Sequence, residues 1–244
     1  VFREYYVLNT NPEPNWAGHL ILAALMYIVP MLVAEKLLLT GYVVLLALSA
    51  RYAAGAVKEG AGWIAVLALP FTYNYLLHMG FYNFCYSLPM YFFVVGVWLR
   101  HGDSMRLRHV ALLALASLGL YFAHIVSLVT AYLALGALAL IATGSDVFLW
   151  RRGRSVGGRD VWRRFRSRCL IALCALLPTL ALTLNFLSQK GTARSVPLAA
   201  KLQWDRLYML ESLVSYRDGE ELLSRGVFWM FASLAAYVLA RKIL

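Results

Sequence analysis

Residues 60–99, GAGWIAVLALPFTYNYLLHMGFYNFCYSLPMYFFVVGVWL, run for forty positions without a single Asp, Glu, Lys or Arg. A bilayer hydrocarbon core of about 30 Å is crossed by about 20 apolar helical residues, so this stretch is twice one span. Its middle, Asn74 to Asn83, concentrates the polar and turn-forming residues Asn74, His78, Gly80 and Asn83, and the whole reads as a hairpin of two helices. Outward from it lie further charge-free stretches at 14–34, 37–50, 109–145, 169–189 and 226–240. A single helix over 109–145 would be about 55 Å long at 1.5 Å per residue, so two short helices breaking near Tyr121 to Ser127 are expected there. The 244 residues are 61% hydrophobic and only 14% charged, against about 25% charged in soluble domains. The fold class expected is all-α: a polytopic integral membrane helical bundle with interfacial amphipathic helices on its outer face. Disulfide scaffold, disordered chain and soluble enzyme are excluded. Cys85, Cys169 and Cys174 are odd in number, lie in apolar runs and have no metal-ligand spacing, so they read as small core hydrophobes.

The net charge of +11 becomes a question of sidedness, because Lys and Arg collect in cytoplasmic loops. Placing 51–58, 100–108, 146–168 and 241–242 on one side puts 15 of the 23 Lys and Arg there. That side is expected to be cytoplasmic, with 1–13, 35–36 and 190–225 outside. The parity holds if 60–99 and 109–145 are both hairpins, and it leaves 14–34 with both ends outside, an interfacial helix or one broken at Pro30. The chain is thus read as one transmembrane domain over 1–244. An outer loop and interfacial helix (1–36) precede five membrane helices (37–143) and a basic cytoplasmic loop (144–168). A membrane helix (169–189), an outer amphipathic segment (190–225) and a last membrane helix (226–244) complete it. Because the sequence opens on Val1 in a polar outer segment, a preceding helix is expected to be missing and the chain to be a fragment. A multi-pass protein of a cell membrane, the bacterial inner membrane, is the localisation this implies.

On this map His19, His78 and His124 share the outer end with Arg3, Glu4, Asn9, Asn11, Glu13, Asn15, Glu35, Lys36, Asn74 and Asn83. Polar groups near a membrane are costly, so they pair or line a cavity, and their convergence at one level marks a candidate site. The plainer account is that loop tips are where such groups cost least, and that Glu35-Lys36 merely marks a helix start. His78 and Asn83 stand out because an otherwise apolar, aromatic hairpin retains them beside Asn74. The arginine run between Arg151 and Arg168 reads as a topology determinant touching anionic membrane lipids rather than nucleic acid. No Gly-rich phosphate loop, zinc motif or Ser/His/Asp signature is present. The sequence requires no cofactor and no metal ligands are assigned.

The order of parts resembles the membrane half of the GT-C type glycosyltransferases, polytopic enzymes that use polyprenyl-phosphate-linked sugars. A polar extracytoplasmic segment (FREYYVLNTNPEPNW, 2–16) leads to an interfacial helix (AGHLILAALMYIVP, 17–30) and then to AEKLLLTGYVVLLALSARY (34–52), two hairpins and a basic inner loop. The likeness covers roughly residues 1–145 and is one of layout. The segment YNYLLHMGFYNFCYSLPMYFF (73–93) also looks like one common in bacterial polytopic proteins. The resemblance implies transfer of a sugar from a polyprenyl-phosphate carrier to an acceptor on the extracytoplasmic side. It implies Glu4 as general base, with Arg3, Asn15, His19, Lys36, His78, Asn83 and His124 as contacts to phosphate or sugar. A carboxylate suits the role, since burial beside apolar groups raises its pKa towards that of a useful base. The family has an Asp, often in an acidic pair, just after its first helix, whereas this chain has isolated Glu4 and Glu13 there. Either Glu4 takes that role, or the acid lies before Val1, or the activity is absent. A transporter or flippase ranks second, because transporters favour broken helices at the midplane and often internal repeats, whereas here the polar residues gather at one face and no repeat is found; a non-catalytic membrane scaffold is the third reading.

Overall fold

The computed structural model describes residues 11–102, 105–153, 157–190 and 221–243. Among the described residues there are helices and turns and no strand. In order they are α1 (Ala17–Met26), α2 (Met31–Val57), a 3-10 helix (Ala61–Phe71), α3 (Tyr75–His78), α4 (Tyr82–His101), α5 (Leu107–Ala123), α6 (Ile125–Arg151), α7 (Gly158–Lys190) and α8 (Glu221–Ile243). Among the described residues four helices, Met31–Val57, Tyr82–His101, Ile125–Arg151 and Gly158–Gln189, are long and apolar enough to cross a membrane.

Local chemistry sets the boundaries. Pro30, fixed at φ −57°, caps α2 and accepts from the Val33 and Ala34 N–H groups, so the break in 14–34 falls between Met26 and Pro30. Helix α2 then begins at Met31, before rather than after Glu35-Lys36, which lie inside its second turn and do not mark its start. At its other end Lys58 turns extended and Gly60 takes φ +81°, a left-handed conformation cheap only for glycine. The apolar run 109–145 breaks at one residue, His124, which is extended (φ −164°, ψ 118°) and both ends α5 and starts α6.

Three expectations change. The first limb of the 60–99 hairpin is not a second long α-helix but an 11-residue 3-10 helix, interrupted by Pro70 and followed by the single turn of α3. At about 2.0 Å per residue that helix extends only about 22 Å. Together with the 17 residues of α5, it leaves 37–143 with three helices of spanning length instead of five. Second, residues 144–168 are largely helical: α6 continues to Arg151 and α7 starts at Gly158, with Asp146 and Arg168 buried where the two helices meet. Third, only Cys85 is buried in the core, whereas Cys169 is half-buried and Cys174 exposed on α7. Of the outer segment read as amphipathic over 190–225, residues 191–220 lie outside the described residues, and α8 begins at Glu221 rather than at 226.

Pairwise contacts give the register. Tyr82 hydroxyl donates to Glu35 Oε1 (2.8 Å) and Tyr86 hydroxyl to the Leu38 carbonyl (2.6 Å), while Arg100 lies over the Tyr52 ring at 4.5 Å. Helices α2 and α4 therefore run parallel, in contact along their lengths. The chain between them climbs back along α2 from Gly62, against Arg51, to Asn74, which donates to the Tyr42 hydroxyl at 3.3 Å. Helix α5 returns antiparallel to α4, with Gly119 against Met90 and the His101 and His109 rings stacked at 3.9 Å. Helices α6 and α7 continue the alternation: Ser117 meets Tyr132 (3.0 Å) and Arg168 meets Asp146 (3.0 Å).

Two cores result, one on α4–α7 around Val97, Leu113, Leu120 and Leu135, the other on α1–α4 around Leu38, Tyr42, Cys85 and Tyr86. The outer surface is apolar as well, with Leu133, Leu140 and Ile141 about two-thirds exposed. The bundle has two ends: residues 12–19, 30–38, 78–87 and 121–128 form one, and 51–62, 96–109 and 143–168 the other.

Candidate functional site

At the first end the residues before α1 lie across the helix tips. Trp16 N–H donates to the Phe122 carbonyl (2.7 Å), and the buried Tyr121 hydroxyl is 3.0 Å from the Pro12 carbonyl and 3.2 Å from that of Leu182. One hydroxyl thereby ties α5 to the leading segment and to α7. Asn15 holds φ +68°, which asparagine tolerates better than most residues. That turn aims its carbonyl at Asn83 Nδ2 (2.6 Å) and His19 Nδ1 (3.2 Å). Asn83 completes the group: its Oδ1 accepts the Gly18 N–H at 2.6 Å and its Nδ2 lies 3.1 Å from His19 Nδ1. A side chain at Gly18 would place Cβ 2.9 Å from Asn83 Oδ1, so the close approach needs glycine. Asn15 and His19, four residues apart, and Asn83, more than sixty positions on, are thus one hydrogen-bonded group, with His19 exposed above it.

One turn further along α4 stands a second group. His124 Nδ1 is 3.2 Å from Ser127 Oγ, Ser127 Oγ is 2.7 Å from Ser87 Oγ, and the Phe84 ring edge packs on the imidazole at 5.2 Å. Desolvation holds the His124 pKa below the ordinary histidine value, so its neutral form is favoured. Glu35 accepts from Tyr82, the neighbour of Asn83. Lys36, exposed on α2, and His78, exposed at the end of α3, occupy the same end. Asn74 is structural: it caps α3 by accepting from the Leu77 N–H at 3.0 Å. Arg3 and Glu4 lie outside the described residues. Among the described residues no three or more His, Cys, Asp or Glu side chains converge as a metal site.

Sequence reasoning missed Tyr121, Ser87 and Ser127, single hydroxyls inside apolar runs whose only signal was their rarity there. It also missed a polar cluster at the other end. Asp146, 6% exposed, accepts from Arg164 Nη1 and Arg168 Nη1, both at 3.0 Å, and Arg168 Nη1 also reaches Thr143 Oγ1 at 3.3 Å. The Arg168 side chain is 4% exposed and that of Arg164 46%, so the inner pair is the buried one. It fastens α6 to α7.

Compared with protein-family models, curated proteins and solved structures, the chain matches none. Its function is therefore argued from its own geometry.

Proposed function

We propose that the chain is a multi-pass protein of the bacterial inner membrane, with its arginine-bearing end cytoplasmic. In this reading its opposite end binds a polyprenyl-phosphate-linked sugar and passes the sugar to an acceptor. The membrane part rests on the four long apolar helices and their exposed Leu and Ile side chains, which water would penalise and lipid would not. The orientation rests on the Lys/Arg asymmetry. In the same reading the amphipathic segment 190–225 lies on the outer interface.

The observation that carries the functional part is the convergence of Asn15, His19 and Asn83, with His124 and Glu35 nearby, at the end away from the arginines. Amide, imidazole and hydroxyl groups at one level suit the hydroxyls of a sugar, and the exposed Lys36 suits a carrier phosphate. Glu4 is the base in this reading, taking the acceptor hydroxyl proton as the carrier phosphate leaves. The test is turnover of a panel of polyprenyl-phosphate sugars by the chain in nanodiscs. Sugar transfer that falls at least about a hundredfold in Glu4→Ala and less in Asn83→Ala is expected from loss of a general base. Full activity in Glu4→Ala would sink the assignment, and no turnover of any carrier-linked sugar would sink the transferase reading.

A further inference from the structure

Helices α2 and α5 both pack on α4 but part company over its middle turns, leaving a side-opening groove of about 510 Å³. Its walls are apolar, with Leu45 and Leu48 of α2, Met90 and Phe93 of α4, and Leu115 and Ala116 of α5 among them. That volume falls within the roughly 300–1,000 Å³ of small-molecule sites. The groove's two ends differ in chemistry. Toward the first end it is closed by Tyr86, whose hydroxyl is spent on the Leu38 carbonyl, and by Gly119. Toward the second end its lining continues into cations by helical periodicity. On α4 the face of Tyr86, Pro89 and Phe93 reaches Arg100 two turns after Phe93. On α5 the face of Leu112, Leu115 and Gly119 has Arg108 one turn before it. Arg100 is exposed and already bends toward the groove, its guanidinium over the ring of Tyr52, itself a lining residue. Arg108, also exposed, is steadied by donating through Nε to His109 Nε2 at 3.2 Å.

We infer that this groove is a binding site for an anionic glycerophospholipid, one acyl chain lying between α2 and α5 and the headgroup phosphate between Arg100 and Arg108. Charge complementarity selects this occupant: two guanidinium groups match a headgroup of net negative charge, whereas a zwitterionic headgroup brings its own cation beside them together with its phosphate, and a peptide helix is too wide for a cleft floored by a single helix. The site goes beyond the sugar-transfer reading, which concerns the opposite end, and rests only on the chain being in a membrane.

The test uses the full chain reconstituted into vesicles of equimolar phosphatidylglycerol and phosphatidylcholine with matched acyl chains. After extraction in mild detergent, bound lipid is read by native mass spectrometry. Wild type should retain phosphatidylglycerol about tenfold over phosphatidylcholine, since each Arg near an anionic surface contributes a several-fold preference. Arg100→Gln with Arg108→Gln should bring the ratio close to parity, whereas Arg106→Gln, on another face of the same turn, should not change it. Ala116→Phe, which fills the groove, should remove the retained lipid. Leu112→Trp, built from the exposed rim, serves the same purpose should Ala116→Phe fail to fold. Equal retention of both lipids by wild type, an unchanged ratio in the double variant, or undiminished retention with the groove filled would each overturn the inference. A chain that does not float with the vesicles refutes the membrane reading and this site with it, whereas a chain that binds the lipid but transfers no sugar leaves this site standing.

Discussion

Asn83 is the residue on which the first end turns, because one side-chain amide serves the Gly18 N–H, the Asn15 carbonyl and the His19 ring. Asn83→Leu leaves a backbone donor and acceptor without their partner, which costs about 1–3 kcal/mol when such groups are kept from water. The expected result is a lower unfolding temperature in detergent and faster amide exchange confined to 15–20; unchanged exchange there would show that α1 docks without it. His124 makes a pH prediction. Its folded pKa lies below the usual value of about 6.5, so the unfolded chain takes up the proton first. Stability from this residue is complete above about pH 6.5 and is lost as pH falls from there toward the folded value. Thermal unfolding followed from neutral pH downward should show that loss, and His124→Gln should remove this part of it. The sequence flagged Asn83, His19 and His124 as polar groups misplaced among apolar neighbours. It did not reveal that Asn83 meets Asn15 across 68 positions, since hydrogen-bond partners that distant leave no spacing signature.

At the scale of elements, helix pairs are held by two different devices. Helices α2 and α4 approach so closely at Gly96 that a Cβ there would lie 2.5 Å from the Tyr52 ring and 3.1 Å from Ala53 Cα. Small residues permit such backbone approach where lipid supplies no hydrophobic drive between helices. Gly96→Leu should separate the pair and cost about 1–3 kcal/mol or more by overpacking, visible as a drop in the temperature of unfolding. Helices α6 and α7 are instead joined by Asp146 and Arg168. Asp146→Ala takes the carboxylate away from a guanidinium that is 4% exposed, and loss of one partner of a buried pair costs about 3–5 kcal/mol. Asp146→Leu combined with Arg168→Leu should recover much of that stability, because the apolar pair has no charge to desolvate. A double variant as unstable as Asp146→Ala would argue against a pairing role. The pair was hidden in the sequence by its position at the edges of apolar runs, where charges ordinarily face water or headgroups.

For the whole molecule, the alternating helix directions gather Arg51, Arg100, Arg106, Arg108, Arg151 and Arg164 at one end and the Asn15, His19, Asn83 group at the other. The orientation proposed from that asymmetry is checked by single cysteines in a background with Cys85, Cys169 and Cys174 replaced. Gly102→Cys should react with a membrane-impermeant maleimide only after the cytoplasmic face is opened, and Met79→Cys should react in intact cells. The reverse pattern would invert the proposal and place the end that carries Asn15, His19 and Asn83 inside.

The sequence by itself determined the helical class and the existence of long apolar helices, because a run such as 60–99 without a charge has few other ways to satisfy its backbone. It also placed a break near Tyr121 to Ser127, since 37 residues exceed one span, and the structure puts that break at His124. Tertiary structure decided which helices reach spanning length, because Pro70 and the packing of 61–78 along α2 favour a short 3-10 limb over a second long helix. It decided as well that Asn15, His19 and Asn83 share one hydrogen-bond network, and that Asp146 is buried against Arg168. Period and composition report which face of an element is apolar; which faces meet, and at what height, is settled only when the helices pack.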